Sequence, residues 1–478
     1  MPDAKPTPSQ HSATAQPSTA YSATLTLPGA LRRSEPLATS LLPGDERAPL
    51  LVCVGTRPEI IKMAPVCRAL NELGLPIRLL HTGQHRELAA PAYRALGLSP
   101  DLSLPLDRAG DSLASLGAAL LGTIDPVLEQ WRPAALLVHG DTSSAAMAAL
   151  AGFWRAIPVA HVEAGLRSHQ LRDPFPEEMN RSLIARLASW HFAPTEAAVA
   201  NLRAEGIAPR AIYRVGNTIV DATLQAVERL QRLSDATARA DGIRPQLVPG
   251  HTDASDTDLN PMMHGLTGNT SRNGTRTDRM IVVTAHRREN WGAPIRGFMR
   301  ALGAVIAAHP SLTAVWTLHA NPALARDVRE THAALDVDVG RRIHLMPPLD
   351  YLEMIALLRE AWLILTDSGG LQEEACALGV PVLVLRHATE RPELIEAGAG
   401  RLIGTDPLRV AAEIERLWRD PSLHQAMRSS RNPFGDGQAS RRIAAVLGQW
   451  YGGERRVEPR LGPVSAAAAS VAPMPGAL

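Results

Sequence analysis

The stretch LLVCVGTRPEIIKMAP (Leu50–Pro65) decides the fold. Five apolar residues form a strand, the strand runs out at Gly55, and a helical run carrying Arg57 and Lys62 follows. A glycine-containing turn from strand to helix leaves unpaired backbone N–H groups at the positive end of the helix dipole, which suits phosphate. A second stretch, TDSGGLQEEA (Thr366–Ala375), repeats the arrangement: a strand ending at Asp367 opens into a helix behind Ser368, Gly369 and Gly370. Asp141, Glu163 and Glu177 fall between the two turns. Together these features imply a nucleoside diphosphate held in a cleft with acid/base chemistry beside it.

Outward from Leu50, short apolar strands alternate with longer helical runs. The first series of expected strands is Leu50–Val54, Ile77–His81, Ala135–His139, Pro158–Val162, His191–Ala193 and Ile212–Val215, with amphipathic stretches such as Pro58–Leu73 and Ser112–Trp131 between them. A second series follows at Ile281–Thr284, Leu312–Leu318, Ile343–Leu345, Leu363–Thr366 and Pro381–Leu385. Alternation of this length predicts an α/β protein with two doubly wound, Rossmann-like domains facing a central cleft. Ligands of such sheets bind at the carboxyl ends of the strands, where most of the charged and glycine-bearing motifs fall. The expected boundaries are a disordered tail over 1–48, a first domain over 49–232 bearing the acids, an insertion or linker over 233–279, a nucleotide-binding domain over 280–450 and a second tail over 451–478. The tails and the insertion are rich in Pro, Ser, Thr, Ala, Asp and Gly and lack any period.

Bulk properties narrow the function. Lys and Arg number 49 against 48 Asp and Glu, so nothing pulls the chain as a whole towards nucleic acid or an anionic membrane. Three cysteines without C-x-x-C or Cys/His pairing argue against disulfides and a metal site, and fit a cytoplasmic setting. No apolar run is long enough to span a bilayer, and the amino end lacks the pattern of a secretory signal. Neither G-x-x-x-x-G-K-[ST] nor G-x-G-x-x-G occurs at a domain start, so ATP hydrolysis and a nicotinamide cofactor are not expected.

The charged residues at strand ends carry the chemistry. Asp141, in HGDT, has an ordinary reading as the N-cap of the helical run Ser143–Trp154, and taken alone the cap is the better reading. Glu163, in HVEAG, is a poor cap and costly to bury unpaired, which favours function. In PFPEEMNR, one acid of the Glu177-Glu178 pair can complement the helix dipole, and Glu177 shares a helical face with Arg181. His286 follows a strand and precedes Arg287 and Arg288, a set suited to a diphosphate. His81 and His85 are balanced between site and structure, and His319 fits a turn. Ser368, Gly369 and Gly370 suit phosphate, and Glu374, one turn on, is placed to accept two sugar hydroxyls.

At these residues the chain resembles the non-hydrolysing UDP-N-acetylglucosamine 2-epimerases, which have the two-domain GT-B fold. The motifs run in order from about Leu50 to Trp450: GTRPEIIK, HTGQHRE, HGDT, HVEAGLRS, PEEMNR, HFAPTE, VGNTIVDA, VTAHRRENWG, LDYL, LTDSGGLQEEA and TERPE. The resemblance implies reversible conversion of UDP-GlcNAc to UDP-ManNAc for surface-polysaccharide synthesis, without a cofactor or metal, in a homodimer. It implies catalytic roles for Asp141, Glu163, Glu177, Arg181 and His286. It implies substrate or UDP contacts for Arg57, Lys62, His286, Arg287, Met354, Ser368, Gly369, Gly370 and Glu374. Gln84 and Glu87 fall where some family members hold a second UDP-GlcNAc as an allosteric activator. The chain departs from the family in its tails, its 233–279 insertion, Met354 (a phenylalanine in several relatives), His387-Ala388, and the Asp107–Asp111 segment near the effector position.

C2–H of the sugar is not adjacent to a carbonyl, so direct deprotonation is too costly, and an oxidative route lacks its cofactor motif. Elimination of UDP with loss of the C2 proton, through a 2-acetamidoglucal, is the remaining route, and the family implies the same one. Proton removal and return on opposite faces call for more than one acid/base group. The alternatives are an epimerase for a related UDP-sugar (2,3-diacetamido or uronic acid form), a GT-B glycosyltransferase, a hydrolysing epimerase and a non-catalytic sensor.

Overall fold

Continuous apolar runs such as LLVCV can satisfy themselves only inside a sheet covered on both faces, and they do so here. The computed structural model describes residues 48–240, 279–287, 290–319 and 321–453, with the side chains of 86–88 and 234–240 outside that description. Seven strands, β1 (Leu50–Val54), β2 (Ile77–His81), β3 (Leu102–Ser103), β4 (Ala135–His139), β5 (Val159–Val162), β6 (Trp190–Ala193) and β7 (Ile212–Arg214), form one sheet in the order β3-β2-β1-β4-β5-β6-β7. Six more, β8 (Arg279–Thr284), β9 (Leu312–Thr317), β10 (Ile343–Met346), β11 (Leu363–Thr366), β12 (Val382–Val384) and β13 (Gly400–Leu402), form a second in the order β10-β9-β8-β11-β12-β13. The pairings within both sheets are parallel. Each order reverses direction once, between β1 and β4 and between β8 and β11, and ligands of doubly wound sheets sit at such reversals. The predicted α/β class with two Rossmann-like units is what the chain adopts.

Strand β1 is fully inside: Leu50, Leu51, Val52 and Val54 are 0 % exposed, and each such side chain contributes about 1.5–3 kcal/mol relative to exposure. One apolar core runs from Leu50, Ile60 and Leu70 through Val215 and Ile219 to Leu352, Ile355 and Leu358, joining the inner faces of the two halves. Separate cores cover the outer faces, around Leu120 and Leu136 on the first sheet and around Phe298 and Trp316 on the second.

Two features lay beyond the sequence pattern. The strands Leu102–Ser103 and Gly400–Leu402 were not expected; each is two or three residues long and lies at a sheet edge, too short to show a period. The last helix, Ala439–Gly453, returns to the first sheet instead of staying with the second. Trp450 meets Trp190 edge-on at 4.9 Å, Tyr451 donates to the Ala48 carbonyl at 2.9 Å, and Asp221 accepts from Ser440 N at 2.8 Å. The helix Thr218–Ala240 carries on past Leu233, where the insertion was expected to begin; 241–278 of that insertion and most of both tails lie outside the described residues.

Candidate active site

The turn after β1 feeds the helix Arg57–Glu72, and two of its N–H groups are taken up within the chain. Glu59 reaches back to accept from Gly55 N at 3.0 Å and Thr56 N at 2.7 Å. This is the reciprocal cap expected of Thr56-x-x-Glu59. The other oxygen of Glu59 accepts from Thr142 Oγ1 at 2.8 Å, so one buried carboxylate ties the β1 turn to the β4 turn. Burial pushes Glu59 up, against the pull of those hydrogen bonds. Arg57, at the head of the same helix, crosses to the second half and donates to the Leu349 carbonyl at 3.1 Å.

Asp141 is not the helix cap. Thr142 takes that place, its side chain accepting from Ala145 N at 3.0 Å. Asp141 is thereby free to pair with Arg181 Nε at 2.7 Å, while its carbonyl accepts from Asn180 at 2.8 Å. The i,i+4 pairing expected of Glu177 and Arg181 is replaced by an i,i+3 pair, with Glu178 at 2.8 Å from Arg181 Nη1. Glu178 also accepts from Ser168 N and His169 N at 3.0 and 3.2 Å, so it is the structural acid of the pair. Glu177 turns to the cleft instead.

Glu163 sits just past β5 with φ +63, a left-handed backbone that a glutamate rarely adopts and that is often associated with working residues. Its carboxylate is hydrogen-bonded to Lys62 Nζ, lies 3.6 Å from His139 Nε2, and accepts from Asn217 Nδ2 at 3.0 Å. Burial alone would raise its pKa, but Lys62 and then His139 outweigh that and hold it well below the ordinary carboxylate range. Lys62 is buried and stands 3.5 Å from Glu373 of the second half, so it bridges carboxylates of both sheets.

In the second half Asp367, 0 % exposed just beyond β11, organises the β8 turn. One of its oxygens accepts from His286 N at 2.8 Å, Arg287 N at 2.9 Å and Asn290 Nδ2 at 2.7 Å. His286 Nδ1 is 3.3 Å from the other oxygen, and the His286 ring stacks on His319 at 5.5 Å. Burial lowers the His286 pKa and Asp367 opposes the shift. His319, expected in a turn, does accept from Asn321 N at 3.1 Å as well as stacking. At the start of the helix Gly369–Ala377, the Arg391 guanidinium lies so close that a Cβ on Gly369 would stand 2.6 Å from Nη1. A larger residue there would have to displace the Arg391 guanidinium from its place. Arg391 pairs with Glu373 at 2.6 Å and Glu390 at 3.3 Å. Burial would raise Glu390, but Arg386, Arg391 and Arg287 bring it down to about 2. Glu374 is pushed up to about 7, first by burial and then by Glu373 beside it.

A cleft cavity of about 540 Å³ collects these groups: Pro174, Glu177 and Arg181 on one wall, Arg287, Gly369, Gly370, Glu390 and Arg391 on the other. Asp141 joins through Arg181, and Glu163 lies behind, in the buried Lys62 cluster. Met354 is half-buried against the inner core. Gln84 accepts from Ser144 Oγ at 2.7 Å, on the far side of the β1 turn. The Glu87 side chain lies outside the described residues. His81 is buried against Tyr93, whereas His85 is exposed. Glu59, Asn217, Asp367, Glu390 and Arg391 were not named as site residues from sequence; Glu59 carried a signal in its T-x-x-E spacing, and the other four lie within the quoted motifs VGNTIVDA, LTDSGGLQEEA and TERPE. Among the described residues no cluster of acids, histidines or cysteines could hold a metal, and no helix is long and apolar enough to cross a membrane.

Two Rossmann-like units facing a cleft in which a carboxylate wall opposes an arginine and helix-start wall define a GT-B-like enzyme of α/β class. The chain belongs to the UDP-N-acetylglucosamine 2-epimerase family, whose model matches residues 68–448, and its enzyme class is therefore isomerase. It is similar to the UDP-N-acetylglucosamine 2-epimerase of Escherichia coli (strain K12), 39% identical over 399 residues covering 83% of this chain and 98% of the relative. Among solved structures it is similar to the UDP-GlcNAc 2-epimerase from Neisseria meningitidis bound to UDP-GlcNAc, with TM-score 0.72, 33% identity, and coverage of 84% of this chain and 99% of the other. It is also similar to the Methanocaldococcus jannaschii enzyme in complex with UDP-GlcNAc and UDP, with TM-score 0.64, 32% identity and the same coverage.

Proposed function

We propose that the cleft interconverts UDP-GlcNAc and UDP-ManNAc by elimination and re-addition of UDP, without hydrolysis. The C1–O bond breaks with its electron pair leaving on the diphosphate, while a carboxylate takes the C2 proton, giving 2-acetamidoglucal and UDP. Return of a proton to the opposite face of C2, and of the diphosphate oxygen to C1, completes the epimer. The arrangement of the cavity carries this reading. Arg287, Arg391 and the start of the Gly369–Ala377 helix line one wall of the cavity, which suits them to the negative charge growing on a leaving diphosphate, and preorganised cations of this kind stabilise such a transition state most. Glu177 and Arg181 face them from the other wall, with Asp141 on Arg181.

In this scheme Asp141, Glu163 and Glu177 share proton removal and return, a contribution of roughly 10²–10⁴-fold in rate. Glu163, kept ionised by Lys62, is equipped to accept a proton. Arg57, His286 and Ser368–Gly370 hold the diphosphate, Glu374 the ribose hydroxyls, and Met354 flanks the uracil. Gln84 and Glu87 receive a second UDP-GlcNAc as effector. The product feeds cytoplasmic synthesis of surface polysaccharide, a setting supported by three buried, unbridged cysteines. A homodimer is supported by the exposed aromatic pair Phe153 and Trp154. Incubation of the protein with UDP-GlcNAc alone is expected to yield UDP-ManNAc. Free ManNAc with UDP would instead mark a hydrolase, and no reaction without an acceptor would mark a transferase.

A further inference from the structure

The first sheet ends at Arg214, the second begins at Arg279, and the last helix returns to the first sheet; among the described residues, the segment after β7 and the returning segment meet beside Gly216 and Gly435. Gly216 has φ +97 and Gly435 φ +136, conformations that favour glycine, and a Cβ on Gly435 would stand 3.3 Å from the Gly216 Cα. Next to this crossing Asn217 is 2 % exposed. Its backbone N–H donates to the Phe434 carbonyl on the returning segment at 2.7 Å. Its side-chain Oδ1 accepts from Ile219 N at 3.1 Å, which fixes the orientation of the amide. Nδ2 then points to Glu163 Oε2 at 3.0 Å.

We propose that Asn217 is a positioning residue that couples the crossing of these two segments to the orientation and ionisation of Glu163. The same residue is held at its main chain by the returning segment and donates to a carboxylate of the site. A donor to a carboxylate favours its charged form. The other groups facing Glu163 are Lys62 from the first helix, His139 from β4, and the guanidinium groups of Arg181 and Arg391 at longer range. All are cations or protonatable. Asn217 differs from them in being a neutral donor whose main chain is held by Phe434 of the returning segment.

This inference rests on the reading of Glu163 as an acid/base group, and the experiment separates the two. Asn217→Asp keeps the shape and the Oδ1 cap but replaces the donor with a second carboxylate; Asn217→Ala removes both. In Asn217→Asp the acidic limb of kcat, followed at saturating UDP-GlcNAc so that Glu374 does not enter, is expected to move up by about one pH unit and kcat to fall more than tenfold, with UDP affinity at pH 8 near wild type and the unfolding midpoint lowered by the second buried carboxylate. Asn217→Gln is expected to recover part of kcat. A Gly435→Ala variant, which disturbs the crossing and not the site, is expected to shift the same limb in the same direction. An unmoved limb in both Asn217→Asp and Gly435→Ala, with Glu163→Gln inactive, overturns the coupling and leaves the catalytic reading intact. Full activity in Glu163→Gln overturns the catalytic reading itself.

Discussion

Replacing Lys62 with methionine keeps the length and apolar stem of the side chain and deletes one charge from the middle of the molecule. Lys62 and Glu163 are each 8 % exposed at the side chain, and Glu373 2 %, so two buried carboxylates lose a shared cation. Breaking one side of a buried pair costs about 3–5 kcal/mol, because the stranded charge has no water to turn to. The lower figure applies here. Glu163 keeps His139 at 3.6 Å and Asn217 at 3.0 Å, and Glu373 keeps Arg391 at 2.6 Å. A loss of about 3 kcal/mol at pH 8 is expected. In the wild type the depressed pKa of Glu163 contributes stability above the unfolded value that is lost only as pH falls through the folded one. Without Lys62, burial wins and the folded pKa rises above the unfolded value, so the variant loses stability as pH rises. Its deficit should therefore shrink by about 1.4 kcal/mol per pH unit on acidification, from the raised pKa down to about pH 4.3. Urea unfolding of wild type and variant at pH 8 and pH 5.5, followed by tryptophan fluorescence, measures both numbers. A deficit equal at the two pH values, or below about 1 kcal/mol at pH 8, would refute the claim that Lys62 stabilises buried ionised carboxylates.

The pKa of about 7 at Glu374 bears on nucleotide binding: a carboxylate that accepts ribose hydroxyls binds best when ionised. UDP affinity measured by calorimetry should fall as pH drops below about 7, by at most tenfold per unit, and Glu374→Gln should flatten that slope; an unchanged slope would remove Glu374 from the contact. Asp141→Asn and Glu177→Gln are each expected to lower epimerisation by at least roughly 10²-fold while UDP still binds. Wild-type-like turnover in either variant would take that residue off the catalytic set.

Legibility in the sequence followed the range of the interactions involved. The strands β1, β2, β4 and β11 were marked residue for residue, because a parallel strand covered on both faces must be apolar throughout and is bounded by abrupt changes of composition. The edge strands Leu102–Ser103 and Gly400–Leu402 were not marked, being too short for a period. The strand-to-helix turn after β1 was recognisable, but not that Glu59, three residues after Thr56, takes up the N–H groups of Gly55 and Thr56. Asp141 looked like a cap until its neighbour Thr142 took that place. The poor fit of Glu163 to a structural role was visible locally. Its partners were not: Lys62 lies 101 residues before it and Asn217 54 residues after. Arg391, Glu390 and Arg287 gather at one wall only through the strand order β8-β11-β12, which sequence spacing does not encode.

Everything in the mechanism follows from a proton leaving C2 for a protein carboxylate while the sugar is detached from its diphosphate. Proton NMR of UDP-GlcNAc incubated with the protein in deuterated water observes that step. Deuterium should appear at C2 of UDP-ManNAc, and with longer incubation at C2 of recovered UDP-GlcNAc. UDP-ManNAc that keeps its original C2 proton throughout would contradict the account.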